Sequence, residues 1–192
     1  TTVAGHYRLP RFSPDGKTIV FEQGEGGNLT AARGAAGTGA YRVAVTGGTP
    51  VRISKDAARP QFGATSDRVF LIVTEKDKHQ LISAGLDGQD RRVHAEGELV
   101  NDYQVSPAGD YIAFRQNYEA FVMPLMPGKQ AVATDGSAKA GPLPITRVSG
   151  DGADFINWSN DGKALHWSAG PTLYTAQTAA LFRDAPAGED AP

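Results

Sequence analysis

The chain lacks cysteine altogether and has only two methionines and two tryptophans. Without thiols it can form no disulfide bond and no thiolate metal site, and it has no cysteine nucleophile. It also lacks an apolar run of about 18 residues, the length that a membrane-spanning helix requires, so no membrane span is predicted. The formal net charge of −2 is accompanied by no polybasic segment, which argues against a nucleic-acid partner.

The motifs of hydrolytic enzymes are also missing. Metal-dependent hydrolases gather several imidazoles and a carboxylate around a divalent ion. The four histidines form neither a His-x-His pair nor a pair four residues apart: His6, His79, His94 and His166. No Gly-x-Ser-x-Gly elbow is present for a serine nucleophile. We therefore predict no catalytic residue, no metal ligand and no cofactor in this chain.

The glycine-rich stretch 24–39 resembles a phosphate-binding loop only in composition. It lacks the Lys-Ser/Thr end of such a loop and does not begin a helix after a parallel strand. We expect it to be a long, flexible loop between two strands.

Turn-forming residues are abundant, with 23 glycines and 12 prolines. Ser13-Pro-Asp-Gly16 separates two strand-like runs and has hairpin-turn chemistry, because proline presets φ and glycine tolerates a left-handed conformation. Similar hairpins occupy 10–21, 60–73, 103–114 and 156–167. The last residue before each turn, which we call the marker residue, is Phe12, Phe62, Val105 or Trp158.

Each hairpin leads to further strand-like segments. Third strands are predicted at 40–45, 80–83, 120–123 and 172–174, and fourth strands at 51–54, 92–94 and 144–148, with none clear in the last copy. Four short antiparallel strands repeated every 40–50 residues are typical of β-propeller blades. A β-sandwich of similar hairpins is the alternative. The fold class predicted is all-β, a β-propeller with about four four-stranded blades in this chain.

The two ends of the chain lack complete repeats. Residues 1–5 are similar to 146–150, the end of a fourth strand, which indicates an outer strand of a blade that is not present. We therefore expect part of a larger propeller over 1–175, with blades at about 7–55, 57–95, 100–148 and 153–175. Residues 176–192 are predicted to be a linker or a disordered tail. Exposed blade edges would favour self-association or pairing with other polypeptide.

The copies resemble the repeats of TolB-like propellers, in which a blade contains Ser-Pro-Asp-Gly-Lys followed by a strand. The first copy matches at Pro10, 12–17, Ile19, Phe21, Tyr41, Gly47 and Gly48. The third matches at Ser106, Pro107, Gly109 and 112–114, and the fourth at Trp158, Ser159, 161–163, Leu173 and Tyr174. The second copy departs most, because Gly63-Ala-Thr-Ser66 replaces the turn sequence, and its turn geometry is therefore uncertain from sequence.

A further similarity is to the propeller that precedes the barrel of certain bacterial metal-dependent amidohydrolases, seen in 5–21, the glycine-rich insert and 166–174. This resemblance implies a non-catalytic docking or access-controlling module of a larger hydrolase, with the hydrolase domain or another protein as partner. The alternatives are a free-standing periplasmic interaction propeller and, more weakly, the propeller gate of a serine peptidase. A periplasmic or secreted location is expected on the same grounds.

Charged side chains precede each marker residue by three or four positions. In a propeller the first strand of each blade lines the central channel, and the loops that lead into these strands carry Arg8, Arg59, Asp102 and Asp154. These four residues are a candidate binding site at the channel mouth, for a polar ligand or a partner. The alternative is a solvated rim whose charges satisfy one another. The aromatic side chains of Phe12, Phe62, Phe114, Trp158 and Trp167 are predicted to form inter-blade core.

Overall fold

A computed structural model describes residues 6–24, 37–76, 78–126, 143–150 and 152–182 of the chain. These residues form fifteen β-strands in four antiparallel sheets and one three-residue 3₁₀ helix at Thr178–Ala180. The fold is all-β, and the sheets are the blades of a β-propeller. The glycine-rich residues 25–36, the repeat-like residues 1–5 and most of the tail predicted at 176–192 lie outside the described residues.

Each blade is a meander whose strands are neighbours in sequence order. Blade 1 contains β1 (His6–Phe12), β2 (Thr18–Gly24), β3 (Gly39–Ala44) and β4 (Val51–Ser54). Blade 2 contains β5 (Ala57–Phe62), β6 (Arg68–Glu75), β7 (Lys78–Gly85) and β8 (Arg92–Glu98). Blade 3 contains β9 (Val100–Val105), β10 (Tyr111–Gln116), β11 (Glu119–Pro124) and β12 (Thr146–Arg147). Blade 4 contains β13 (Asp154–Trp158), β14 (Ala164–Ala169) and β15 (Thr172–Gln177).

The first hairpin has the same register in all four blades. Each marker residue pairs with the residue seven positions later, as Phe12↔Ile19, Phe62↔Val69, Val105↔Ile112 and Trp158↔Leu165. The second copy keeps this register although its turn sequence differs. The number of residues between the strands, and not the Ser-Pro-Asp-Gly sequence itself, is therefore what the four hairpins share.

The core lies between blades. Strand β6 shows why, because Val69 and Leu71 pack toward blade 1 whereas Phe70 and Ile72 pack toward blade 3. Side chains of a strand alternate between its two faces, so each middle blade contributes to two cores. A third core joins blades 3 and 4 around Leu165. The predicted stacking of blades, each burying apolar side chains that it cannot cover alone, is confirmed.

Blade 1 keeps one apolar face without a neighbouring blade among the described residues. The side chains seven and nine positions after the marker face the preceding blade in blades 2, 3 and 4. In blade 1 the same positions are Ile19 and Phe21. Phe21 is buried beneath the rings of Tyr7 and Tyr41, whose centroids lie 5.6 and 5.7 Å away. Beside them is a depression of about 860 Å³ that Val43 also lines.

Some strand predictions differ from the structure. Blade 4 has three strands within the described part of the chain, as expected from the lack of a clear fourth strand in the last copy. The fourth strand predicted at 144–148 is only two residues long, Thr146–Arg147. The inner strands begin earlier than predicted, so that Arg8, Arg59, Asp102 and Asp154 lie within strands and not in the loops before them. Charged residues near the start of each inner strand, together with Pro10 and Pro60 in two of them, made these segments look like loops.

Candidate functional site

Serine hydroxyls hold three of the first turns together, and those of Ser13 and Ser106 are buried. In blade 1, Ser13 Oγ donates to Asp15 Oδ1 at 2.5 Å and accepts the Thr18 N–H at 2.9 Å. Ser106 and Ser159 make the corresponding bonds in blades 3 and 4. Gly16, Gly109 and Gly162 all adopt φ near +70°, the left-handed conformation that glycine permits. The repeated turn sequence is thus explained by local hydrogen bonding.

These turns meet at one end of the propeller, which we call the turn face. The Asp15 N–H donates to Ser66 Oγ at 3.1 Å, joining the first turns of blades 1 and 2. A side chain at Gly109 would contact Ala64, and one at Gly162 would contact Pro107, so the later turns also touch. The opposite end, where the inner strands begin, is called the mouth face.

The four marker residues surround a single cavity at the turn face. Its volume is about 540 Å³, and Phe12, Phe62, Val105 and Trp158 all line it. The predicted equivalence of these four positions is therefore confirmed. The aromatic prediction holds only in part, because Phe114 and Trp167 are core whereas Phe12 is 64% exposed. Phe12 has no neighbour on one side, since blade 1 is covered on one face only.

A second set of cavity residues was not predicted. The residue before each marker is Arg11, Gln61, Gln104 or Asn157, and all four line the cavity. The signal was present, because this position is polar in every copy. The prediction considered only charged residues in the segments leading into the inner strands, however, and three of these positions carry amides.

Two side chains of the cavity wall, Gln61 and Trp158, hold neighbouring blades together. Gln61 is buried and bonds to β9 with both ends of its amide, donating to Tyr103 O at 2.7 Å and accepting from Val105 N at 2.8 Å. Trp158 Nε1 donates to Gln104 O at 3.0 Å, which joins blade 4 to blade 3. The cavity wall is therefore positioned by side-chain bonds to the backbone of the adjacent inner strand.

The inner strands bend just before the cavity. Leu9, Arg59 and Phe155 each lie three residues before a marker and have φ of +53°, +50° and +52°. Each coincides with a register shift, that is, a β-bulge. A left-handed conformation costs a non-glycine residue about 1–2 kcal/mol. Backbone strain at this position is a shared feature of three blades that the sequence did not indicate.

Of the four predicted mouth residues, the structure pairs two with each other and two with residues of other strands. Arg59 Nη1 lies 3.0 Å from Asp102 Oδ1, so one ion pair joins blades 2 and 3. Arg8 pairs instead with Glu22 on β2, and Asp154 pairs with Arg115 on β10. The remaining Glu22 oxygen accepts the Arg59 N–H at 3.0 Å. Each predicted charge therefore has an opposite charge beside it.

Asp102 is the most deeply buried of these charges. Burial raises the pKa of its carboxyl, although the positive charge of Arg59 and a hydrogen bond from Gln104 partly offset this effect. Gln104 Nε2 lies 3.2 Å from Asp102 Oδ1. Arg59 and Gln104 thus hold the Asp102 carboxylate in place.

The histidines do not assemble a catalytic centre in the described residues. No group of three or more His, Asp or Glu side chains is placed there to hold a metal ion. His94 Nε2 does lie 2.7 Å from Ser83 Oγ, a pairing that resembles an activated nucleophile. Ser83 has no exposed surface, however, so a substrate cannot reach this hydroxyl.

The single helical segment of the described chain, three residues long, is too short to cross a membrane. The chain matches no protein-family model and no curated protein. Its similarity to known proteins is therefore seen in three dimensions.

Solved propeller structures share this architecture at low sequence identity. TolB from Acinetobacter baumannii superposes with a TM-score of 0.62 and 12% identity over 89% of this chain and 40% of that one. Hydrazine synthase from Kuenenia stuttgartiensis superposes with a TM-score of 0.58 and 13% identity, over 94% of this chain and 60% of that one. Oligogalacturonate lyase from Vibrio parahaemolyticus superposes with a TM-score of 0.56 and 10% identity, over 88% of this chain and 48% of that one. The chain thus spans between 40% and 60% of the length of these neighbours.

Proposed function

We propose that this chain, which has the fold of TolB-like β-propellers, is a non-catalytic segment of a larger bacterial protein. In that protein it docks, or controls access to, an attached amidohydrolase-like domain. The proposal that the chain is a segment of a larger protein rests on the apolar face of blade 1, which no other blade covers among the described residues. The docking role is supported by the residues of the mouth face.

The face of blade 1 has the composition of an inter-blade interface. Ile19 and Phe21 occupy the positions of Val69 and Leu71 in blade 2, which are buried against blade 1. Phe21 is already buried, but Ile19 and Val43 are only half-buried. Full burial of such a side chain is worth roughly 1.5–3 kcal/mol, so a further blade on this face would stabilise the propeller. The matching face of blade 4 carries His166, Ser168 and Thr175 and is mainly polar, although Leu173 lies on it too. The two terminal faces are therefore not complementary, which supports an additional blade over closure between blades 4 and 1.

The mouth face has the features of a protein-docking surface. Four large apolar side chains are exposed at this end of the blades, in the inner strands or in the turns beside them: Leu9, Leu99, Tyr118 and Phe155. Phe155 is 82% exposed and Tyr118 75% exposed. They lie beside the charged pairs of Arg8, Arg59, Asp102 and Asp154. Exposed aromatic side chains surrounded by polar groups are typical of interface hot spots.

The open reading frame around this sequence provides the first test. We expect it to encode another propeller repeat adjoining blade 1 and, after the propeller, a domain with a His-x-His metal-binding motif. A stop codon directly after residue 192 would contradict the attached hydrolase and favour the free-standing periplasmic interaction propeller. A downstream Gly-x-Ser-x-Gly elbow would favour the gate of a serine peptidase. A signal peptide at the start of the frame would support the periplasmic or secreted location.

Docking can be tested with a pair of matched variants. Phe155→Asp places a charge on the mouth face, whereas Val51→Asp makes the same change at an exposed position on the outer strand β4. In the complete protein, we expect Phe155→Asp to weaken propeller–hydrolase contact and alter hydrolase turnover, with Val51→Asp unchanged. Equal behaviour of the two variants would contradict docking at this face. Metal-dependent hydrolysis by residues 1–192 alone would contradict the non-catalytic assignment.

A further inference from the structure

The cavity at the turn face has the size of a small-molecule site. Its volume of about 540 Å³ is lined by residues from the inner strands and first turns of all four blades. Sites for small ligands commonly enclose roughly 300–1,000 Å³ and combine apolar walls with a few polar groups. This cavity lies at the opposite end of the inner strands from the charged residues predicted to bind at the channel mouth.

The cavity has one formal charge, and that charge is positive. Among the described residues that line it, Arg11 is the only ionised side chain and none is acidic. Arg8, Arg59 and Arg115 each have a carboxylate partner. Arg11 instead donates from Nη2 to Asn157 Oδ1 at 3.1 Å. A guanidinium has five N–H donors in a planar fork that fits a carboxylate.

Most of the neutral polar side chains around the cavity are already engaged. Both ends of the Gln61 amide bond to β9, and the Gln104 amide N–H groups point to Asp102. The Asn157 Oδ1 atom accepts from Arg11 and so orients the guanidinium. Arg11 is consequently the group of this wall that is best placed to bind an anion.

The rest of the wall offers aromatic surface. Phe12 is largely exposed, Phe62 is half-buried, and the Trp158 ring is held by its bond to Gln104 O. Because the indole N–H is used in this bond, the ring presents carbon atoms to the cavity. Exposed aromatic side chains next to a cation favour a ligand that has both a planar apolar part and a negative charge.

We propose that this cavity binds a small organic carboxylate that carries a planar apolar ring. Arg11 binds the carboxylate, and Phe12, Phe62 and Trp158 contact the ring. This site is distinct from the docking surface proposed above, because it lies at the turn face and not at the mouth face.

The experiment titrates the 192-residue chain with benzoate and phenylacetate, and with their neutral analogues benzamide and phenylacetamide. Ligand-observed saturation-transfer NMR and tryptophan fluorescence follow binding. We expect saturable binding of at least one carboxylate. Its amide should bind with an affinity about tenfold lower or more, because it cannot form the charged hydrogen bond with Arg11. Sodium sulfate serves as an anion without a ring and should compete poorly.

Two variants locate the site. Arg11→Gln should weaken carboxylate binding about tenfold or more, whereas Lys17→Gln, which removes the same charge from an exposed position in the neighbouring turn, should not. Phe12→Ser should weaken binding of the carboxylate and the amide alike. Both positions are exposed, and an unchanged melting temperature verifies folding. The proposal is overturned if neither carboxylate saturates by about 10 mM, if Arg11→Gln binds like wild type, or if sulfate binds as tightly.

Discussion

The first turns show how single side chains determine local structure. Ser13 and Ser159 donate to Asp15 and Asp161, and these hydrogen bonds are the main cause that lowers the pKa of both carboxyls. Ser106 makes the same kind of bond to Asp110 and is 1% exposed. The serine of the turn is thus a structural residue, and its hydroxyl replaces water for backbone N–H groups that the turn leaves without a strand partner.

Ser106→Ala is expected to destabilise the chain by about 1–3 kcal/mol, because two backbone N–H groups lose their acceptor in a buried place. Those groups belong to Asp110 and Tyr111, at 3.1 and 3.0 Å from Ser106 Oγ. Urea unfolding measures the effect. Ala108→Ser, an exposed change in the same turn, should remain within about 0.5 kcal/mol of wild type. Equal stability of the two variants would show that the hydroxyl is dispensable.

His94 is a buried imidazole in blade 2. Burial lowers its pKa from the usual value, and the positive charges of Arg68 and Arg92 lower it further. The unfolded chain therefore takes up a proton near pH 6.5 while the folded chain still resists it. The neutral ring contributes stability that is fully present above pH 6.5 and declines as the pH falls from there through the lowered folded-state pKa.

We expect His94→Gln to flatten the dependence of unfolding free energy on pH below about 6.5, since glutamine does not titrate in this range. Urea unfolding of both proteins at pH 8, 6.5 and 5.5 measures the difference. The wild type should lose more stability than the variant between pH 6.5 and 5.5. Parallel pH profiles for the two proteins would contradict a neutral, buried His94.

At the scale of single elements, β15 differs from the outer strands of the other blades. Among the described residues it is the third and last strand of its sheet, and most of its residues are exposed. Leu173 is one of these exposed residues. An exposed strand edge presents backbone N–H and C=O groups that can pair with another strand. We propose that β15 accepts a fourth strand, supplied in the isolated chain by a second copy.

Sedimentation velocity over a range of protein concentrations should therefore show reversible association. Leu173→Lys, which adds a charge to β15, should reduce it. Val51→Lys makes the same change on β4, the outer strand of a complete blade, and should leave association unchanged. A strict monomer at every concentration would exclude pairing at this edge.

At the scale of the whole molecule, stability depends on contacts between neighbouring blades. Within the part of the chain that the structure describes, blades 2 and 3 are covered on both faces, whereas blades 1 and 4 each share one core with a neighbour. In such stacked arrays, stability is approximately a sum of terms for each unit and each interface. The terminal blades should consequently open before the middle ones.

Native-state hydrogen exchange should show this order. We expect the slowest amide exchange in β6 and β10 and faster exchange in β2 and β14, because fewer contacts resist opening of the terminal blades. If the complete protein supplies a blade next to blade 1, protection of β2 should rise there and that of β10 should change little. Uniform protection across all four blades would contradict this pattern.

The four hairpins could be predicted because their chemistry is local. Proline, aspartate and glycine determine a turn through φ preferences and short-range hydrogen bonds, and alternation of apolar residues marks the strands beside it. The second copy shows the limit, since Gly63-Ala-Thr-Ser66 maintains the common register without the common turn sequence. Neighbouring strands and blades hold this hairpin in place, and these long-range contacts cannot be predicted from the turn residues alone.

The candidate site could be predicted only in part. The sequence located charged residues near the start of each inner strand, but their partners Glu22 and Arg115 come from other strands. It missed Arg11 and Asn157, because their significance depends on which side chains face the axis after the inner strands bulge. Phe12 was expected in the core, since an aromatic residue in a strand is usually buried, yet its exposure depends on which faces of blade 1 are covered.

The sequence alone determined the all-β class, the number of repeats and the position of each first turn, because these follow from residue-by-residue backbone preferences and from periodicity. Tertiary structure decided which charges are neutralised, which polar side chain retains donors for a ligand and which blade face stays uncovered. Those properties depend on distances between residues that are 40 to 150 positions apart. Only the packing of blades around an axis brings such residues within hydrogen-bonding reach.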